Sequence, residues 1–193
     1  IAANYVAAQF RAMGAVPMGD PAKGSYFQQV PLREAKLVGQ PVLTISGKGQ
    51  TLRFDSREKV LIGPSAQEAQ QRVEAPLVFV GFGIDRPDLG VDDYRQLDVK
   101  GKIVVVLSGY PRGMNSEVGA HLNAEKARMA MKRGAIGIIT VPTLQDTSRR
   151  PWARRMEMSG EPRSNWLQAD GTPFLRAPAI RADAALNPDA AAQ

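Results

Sequence analysis

Leu97-Asp-Val-Lys-Gly-Lys-Ile-Val-Val-Val-Leu107, then a loop, then Asn123-Ala-Glu-Lys-Ala-Arg-Met-Ala-Met-Lys-Arg133 and Gly134-Ala-Ile-Gly-Ile-Ile-Thr-Val141 decide the fold. Ile103 to Leu107 is an unbroken apolar, mostly β-branched run, the pattern of a strand covered on both faces. Asn123 suits the cap of the helix that follows. Ala127, Ala130 and Met131 share one face of that helix, which leaves Lys126, Arg128, Lys132 and Arg133 to solvent. Gly134 stands where a helix end favours a left-handed residue. Ile136 to Val141 then reads as a second buried strand. Strand, helix, strand is a βαβ unit, so the fold class is mixed α/β.

Working outward, Ile1 to Met13 has helical periodicity and stops at Gly14. Ala15 to Gly24, with Pro17, Gly19, Asp20 and Pro21, reads as a turn-rich connector. Ser25 to Leu32, Val38 to Ser46, Gln50 to Phe54 and Arg57 to Gly63 are short strand candidates. Gly47-Lys48-Gly49 suits a hairpin turn between the second and third. Ser65 to Arg72 is polar and reads as a loop or a short helical turn. Ala75 to Ile84 is a clear strand whose glycines at 81 and 83 suggest a bulge or a close backbone approach. Arg86 to Gln96 is an acidic turn region. Thr143 to Thr172 reads as a long loop carrying Trp152, Trp166 and several arginines. Phe174 to Arg181 is expected to close the sheet, and Asp183 to Gln193 to form a frayed Ala-rich helix.

The 193 residues hold no cysteine, which removes disulfides, thiolate metal sites and cysteine nucleophiles. The apolar share of 44% is that of a packed globular core. No apolar run approaches the roughly 20 residues of a membrane helix. The net charge of +6 is spread over scattered arginines rather than one basic run, so a nucleic-acid surface is not indicated. No signal peptide opens the chain, and its start inside a helical pattern suggests a mature form or a fragment.

Motifs for chemistry are sparse. Gly81-Phe-Gly83 is followed by Arg86 and Pro87 instead of the third glycine of a dinucleotide fingerprint. Lys100-Gly-Lys102 lacks the spaced glycine and hydroxyl of a P-loop. His121 is the only histidine, and with Glu117 and Glu125 it makes thin material for a catalytic zinc site. Asp92 and Asp93 sit side by side on a turn and point apart. The Arg and Trp residues from Arg149 to Trp166 fit a protein or domain contact or, next, a plain surface loop better than a nucleic-acid surface.

Taken together, Ala75-Pro-Leu-Val-Phe-Val-Gly-Phe-Gly-Ile84, Asp92-Asp-Tyr94, Leu97 to Leu107, and Lys126-Ala127 through Gly134 to Ile139 resemble a protease-associated (PA) domain. The version resembled is the one inserted into M28-family zinc aminopeptidases. The helix ending at Gly14 and Gly24-Ser-Tyr-Phe-Gln-Gln-Val-Pro-Leu32 resemble the start of those enzymes. Pro151-Trp152 and Trp166 to Gly171 resemble their variable loop. The resemblance implies a β-sandwich or open barrel with flanking helices, containing the βαβ unit. It divides the chain into residues 1–63, an N-terminal helix and short strands shared with the peptidase portion, and residues 64–193, the PA domain.

It also implies a periplasmic or secreted parent enzyme holding two zinc ions in a separate peptidase domain. No zinc or other cofactor is expected in this chain, and no catalytic or metal-binding residue is carried over, because no His-x-Asp motif occurs here. The expected partners are a peptide substrate or the chain's own peptidase domain, with neither nucleic acid nor membrane involved. Trp152, Arg154 and His121, all expected on loops, are the candidate contact residues. The rival readings are a free-standing peptide-binding module of the same fold and a hydrolase in its own right using His121.

Overall fold

The computed structural model describes residues 1–20 and 24–193; Pro21 of the expected connector lies outside the described residues. In chain order the elements are α1 (Ala2–Ala12), β1 (Leu32–Ala35), β2 (Leu43–Gly47), β3 (Gln50–Phe54), β4 (Val60–Ile62), β5 (Leu77–Phe79), β6 (Asp85–Arg86), a 3-10 turn (Pro87–Leu89), β7 (Val91–Asp92) and β8 (Ile103–Leu107). There follow α2 (Ser116–Ala124), α3 (Lys126–Lys132), β9 (Gly137–Val141), α4 (Leu144–Arg149), α5 (Trp152–Ser159), β10 (Arg163–Trp166), β11 (Ala182–Leu186) and α6 (Pro188–Ala191).

The mixed α/β architecture is built on a five-stranded sheet in the order β4-β11-β9-β8-β5. β5, β8, β9 and β11 are mutually parallel and β4 runs antiparallel to β11. The βαβ unit is present at its centre, with Ile103 opposite Gly137 and Leu107 opposite Val141. Alternation along β8 and β9 gives each face its own core. On one face Val104, Val106 and Ile138 pack with Val80, Tyr94, Val99 and Ala130. On the other, Ile103 and Ile139 pack with Phe54, Val60, Ala184 and Leu186. Strands with both faces covered must be apolar at every position, which is why 103–107 shows no alternation.

The β2–β3 hairpin turns at Lys48 (φ 50°) and Gly49 (φ 76°), the left-handed pair a two-residue turn demands. β1 pairs with β10, and β6 with β7, each as a separate two-stranded sheet. Gly81 and Gly83 both have positive φ. A Cβ on Gly83 would stand 2.6 Å from Val106 Cγ1, so the close approach expected there is real.

Several local expectations are corrected. The helical crossover starts at Ser116, capped by Asn115, whose Oδ1 accepts from the Glu117 and Val118 amides. Asn123 lies inside α2, and its Oδ1 instead accepts from the Gly109 amide at 2.9 Å. The stretch from 143 to 172 is not one loop. Thr143 caps α4 through Asp146, α5 starts after Pro151, and β10 follows.

Ser25 to Pro31 is not strand; β1 begins at Leu32, after Pro31, which has no amide to donate. The strand expected over 75–84 is confined to Leu77–Phe79, ended by the turn at the two glycines. The closing strand is Ala182–Leu186, not Phe174 to Arg181, where Pro178 interrupts any ladder. The Ala-rich tail therefore supplies a central strand and only a four-residue helix, capped by Asn187.

Candidate functional site

Because β5, β8 and β9 run in parallel, their carboxyl ends open on one edge, where Gly81–Ile84, Ser108–Asn115 and Pro142–Thr143 emerge. Such an edge is where parallel α/β sheets gather ligands. Lys126, the first residue of α3, organises it. Its side chain is not wet, as the helical pattern suggested, but 5% exposed. Nζ donates to the Leu107 carbonyl at 2.7 Å and to the Gly109 carbonyl at 2.6 Å, and lies 5.7 Å from the centre of the Phe82 ring.

Burial lowers its pKa to about 8, against the opposing pull of the Asp93 and Asp146 carboxylates. A protonated amine with two carbonyl acceptors ties backbone together and has no lone pair for attack.

The same loop is held at three further points. Ser108, itself 5% exposed, accepts from the Thr143 amide at 3.0 Å. Asn123 holds Gly109. The Tyr110 ring lies against Gly119 of α2, where a Cβ would meet the ring at 2.4 Å. Behind the loop, Asp93 accepts from the Ile84 amide, while Asp92 pairs with Arg95. The two adjacent carboxylates thus serve different partners, as their position on a turn suggested, but both are half-buried.

The sequence-derived contact residues fall elsewhere, and all three stand on helices rather than loops. Trp152 opens α5 half-buried, and its Nε1 donates to the Arg57 carbonyl at 2.9 Å. The Arg57 guanidinium in turn reaches the Met156 carbonyl and Ser159 Oγ at the far end of α5. Beside this junction a cavity of about 150 Å³ is lined by Arg57, Val60, Ile62, Pro64 and Glu161 among others. Arg154 faces solvent and pairs with Glu157 at 2.9 Å.

His121 is exposed in the last turn of α2, on a different element. The residues around it do not fit a zinc site, since Glu125 is held by Arg128 at 2.6 Å and by Arg176 at 3.8 Å. Among the described residues no group of three or more His, Cys, Asp or Glu side chains is placed to hold a metal ion, and no helix is long and apolar enough to cross a membrane. Sequence reasoning missed Lys126 because its acceptors are main-chain carbonyls, which leave no mark in the residue pattern.

α1 carries the other distinctive surface. Of its residues only Ala7 is buried. Tyr5 is 66%, Phe10 44% and Met13 70% exposed, although Phe10 sits 6.3 Å from the Tyr26 ring.

No curated protein matches the chain. Among solved structures, BSAP, a zinc aminopeptidase from Bacillus subtilis, is similar at 21% identity and a TM-score of 0.31, over 74% of this chain and 26% of that one. The chain thus spans about a quarter of that enzyme's length. A family model for the PA domain matches residues 73–173, the segment from the approach to β5 through the βαβ unit and α5 to just beyond β10. With more than half of its residues in that match, the chain belongs to the PA-domain family.

Proposed function

We propose that this chain is the non-catalytic accessory portion of a zinc aminopeptidase of the M28 kind, its PA domain steering peptide access or contacting the enzyme's own peptidase domain. The observation that carries the reading is the apolar side of α1 and its C-cap, where Tyr5, Phe10 and Met13 stay open to solvent. A single short amphipathic helix is marginal in water unless its apolar face is packed. A peptidase body is the partner that the resemblance of the helix and of Gly24 to Leu32 to those enzymes suggests. On this reading the zinc ions sit in the peptidase domain, held by residues outside this chain, and the parent enzyme is periplasmic or secreted.

The test compares the full-length gene product with residues 1–193 alone in a chromogenic amino-acid anilide assay with zinc and with a chelator. Zinc-dependent release by the full-length protein and none by residues 1–193 is the expected result. Hydrolysis by residues 1–193, or a full-length protein without zinc-dependent activity, would overturn the reading.

A further inference from the structure

Among the described residues, β5 is the end strand of the five-stranded sheet and is bonded on one side only. Its register sets which backbone groups are used. The Ile103 amide donates to the Pro76 carbonyl and the Val80 amide to the Val105 carbonyl, so Pro76, Val78 and Val80 face β8. In a strand the main-chain polar groups alternate sides, so the N–H and C=O groups of Leu77 and Phe79 face outward. Leu77 is 38% and Phe79 60% exposed. Leu77 and Phe79 stand opposite Ile103 and Val105, which belong to the core under the β2–β3 hairpin. Between that hairpin and the approach to β5 runs an open groove of about 840 Å³, with Val42, Ile45, Val73, Ala75 and Leu77 among its lining residues.

Natural sheets blunt open edges with charge, proline or a cover. Here Pro76 guards the entry, but the outward pair are a leucine and a phenylalanine. The charges on the groove are paired at home: Arg53 with Asp55 at 3.0 Å and Arg72 with Glu74 at 3.2 Å. That leaves little field to draw a charged ligand, and the complementary occupant is uncharged. A helix cannot satisfy the outward amides and carbonyls, since its own are already used; an extended backbone can.

We propose that the free edge of β5 docks an uncharged extended peptide segment as a sixth strand, hydrogen-bonded to Leu77 and Phe79, with alternate apolar side chains in the groove beneath the β2–β3 hairpin. The inference is independent of the proposed function, because a peptide could add to this edge whether or not a peptidase body covers α1.

The experiment is residue-resolved amide hydrogen exchange on the full-length protein with an end-capped peptide of alternating valine and threonine, and with the same peptide N-methylated at every residue. The expected result is exchange slowed about tenfold or more at the Leu77 and Phe79 amides with the unmodified peptide only, while the Val78 and Val80 amides, already bonded to β8, do not change. In Phe79→Lys the effect at Leu77 is lost while Val78 and Val80 stay protected, which shows that the sheet is intact. Unchanged exchange with the unmodified peptide, or equal slowing by both peptides, would overturn the proposal. Protection that appears without peptide and grows with protein concentration would assign the edge to a second copy and overturn the peptide as occupant.

Discussion

The Lys126 ammonium donates a 2.6 Å hydrogen bond to the Gly109 carbonyl, joining the start of α3 to the loop that leaves β8. With the bond to Leu107, this fixes the loop from beneath, while Asn123 fixes the Gly109 amide from α2. The loop that carries Pro111, Arg112 and Gly113 is thus tied to α2 and α3 at its base.

Lys126 gives the domain a distinctive pH dependence. Its pKa is about 8 in the fold, against an ordinary value of 10.5. Between these values the unfolded chain binds more protons than the folded one, so the contribution to stability rises with pH through that window. It is complete above the ordinary lysine range and lost as pH falls through about 8. Urea unfolding of the native protein and of Lys126→Met at pH 7 to 10.5 checks this. The native protein gains on the variant by up to about 1.4 kcal/mol per pH unit above pH 8. A constant difference would refute the burial of the charge.

Gly119→Ala tests the Tyr110 contact. Alanine is the better helix former by about 1 kcal/mol. Its Cβ would meet the Tyr110 ring at 2.4 Å, however, and overpacking of this kind costs about 1–3 kcal/mol. A lowered Tm, with a changed Tyr110 environment in near-ultraviolet circular dichroism, is the expected outcome. A raised Tm would show that the ring is free to move.

The sheet's centre was legible because β8 and β9 are covered on both faces, and only apolar residues tolerate that. The Gly47 to Gly49 turn and Gly134 were legible because left-handed backbone selects for glycine. α2's first turn was missed because Asn123 was read as the cap; Asn115 caps the helix instead, and the loop's path gives the Asn123 side chain to Gly109. β11 was missed because Ala182 to Leu186 has helical propensity. In the fold this segment lies between β4 and β9, and Gly137, opposite Ala182, leaves room for a close approach: a Cβ there would stand 3.0 Å from that of Ala182. The Lys126 tether depends on main-chain carbonyls distant in sequence, which no residue pattern records.

Asp85→Asn tests the fork between β6 and the residue after α3. Arg133 bonds both Asp85 oxygens, at 2.6 and 2.7 Å, and these bonds hold the Asp85 carboxyl below its ordinary pKa. The stabilisation is present above the ordinary carboxylate range and disappears as pH falls through the lowered value. The pair is partly open to solvent, so the variant loses about 1 kcal/mol at pH 7 and converges with the native protein in acid. Equal losses at pH 7 and pH 2 would contradict the ion pair.

Trp152→Phe separates an anchor from a contact residue. An aromatic ring is kept, although a smaller one, and the Arg57 carbonyl loses its donor, at a cost of about 1 kcal/mol for the hydrogen bond. A lower Tm with unchanged peptide affinity marks Trp152 as the clasp of α5. Lost peptide affinity at an unchanged Tm would return it to the contact surface first expected of it.

The most direct test of the accessory-domain reading is hydrogen exchange along α1, in the full-length protein and in residues 1–193. With Tyr5, Phe10 and Met13 docked on a peptidase body, the α1 amides exchange slowly in the full-length protein and quickly in residues 1–193, while the β8 and β9 amides match in both. Equal exchange of α1 in the two proteins would contradict the docking of this helix, and with it the observation on which the reading stands.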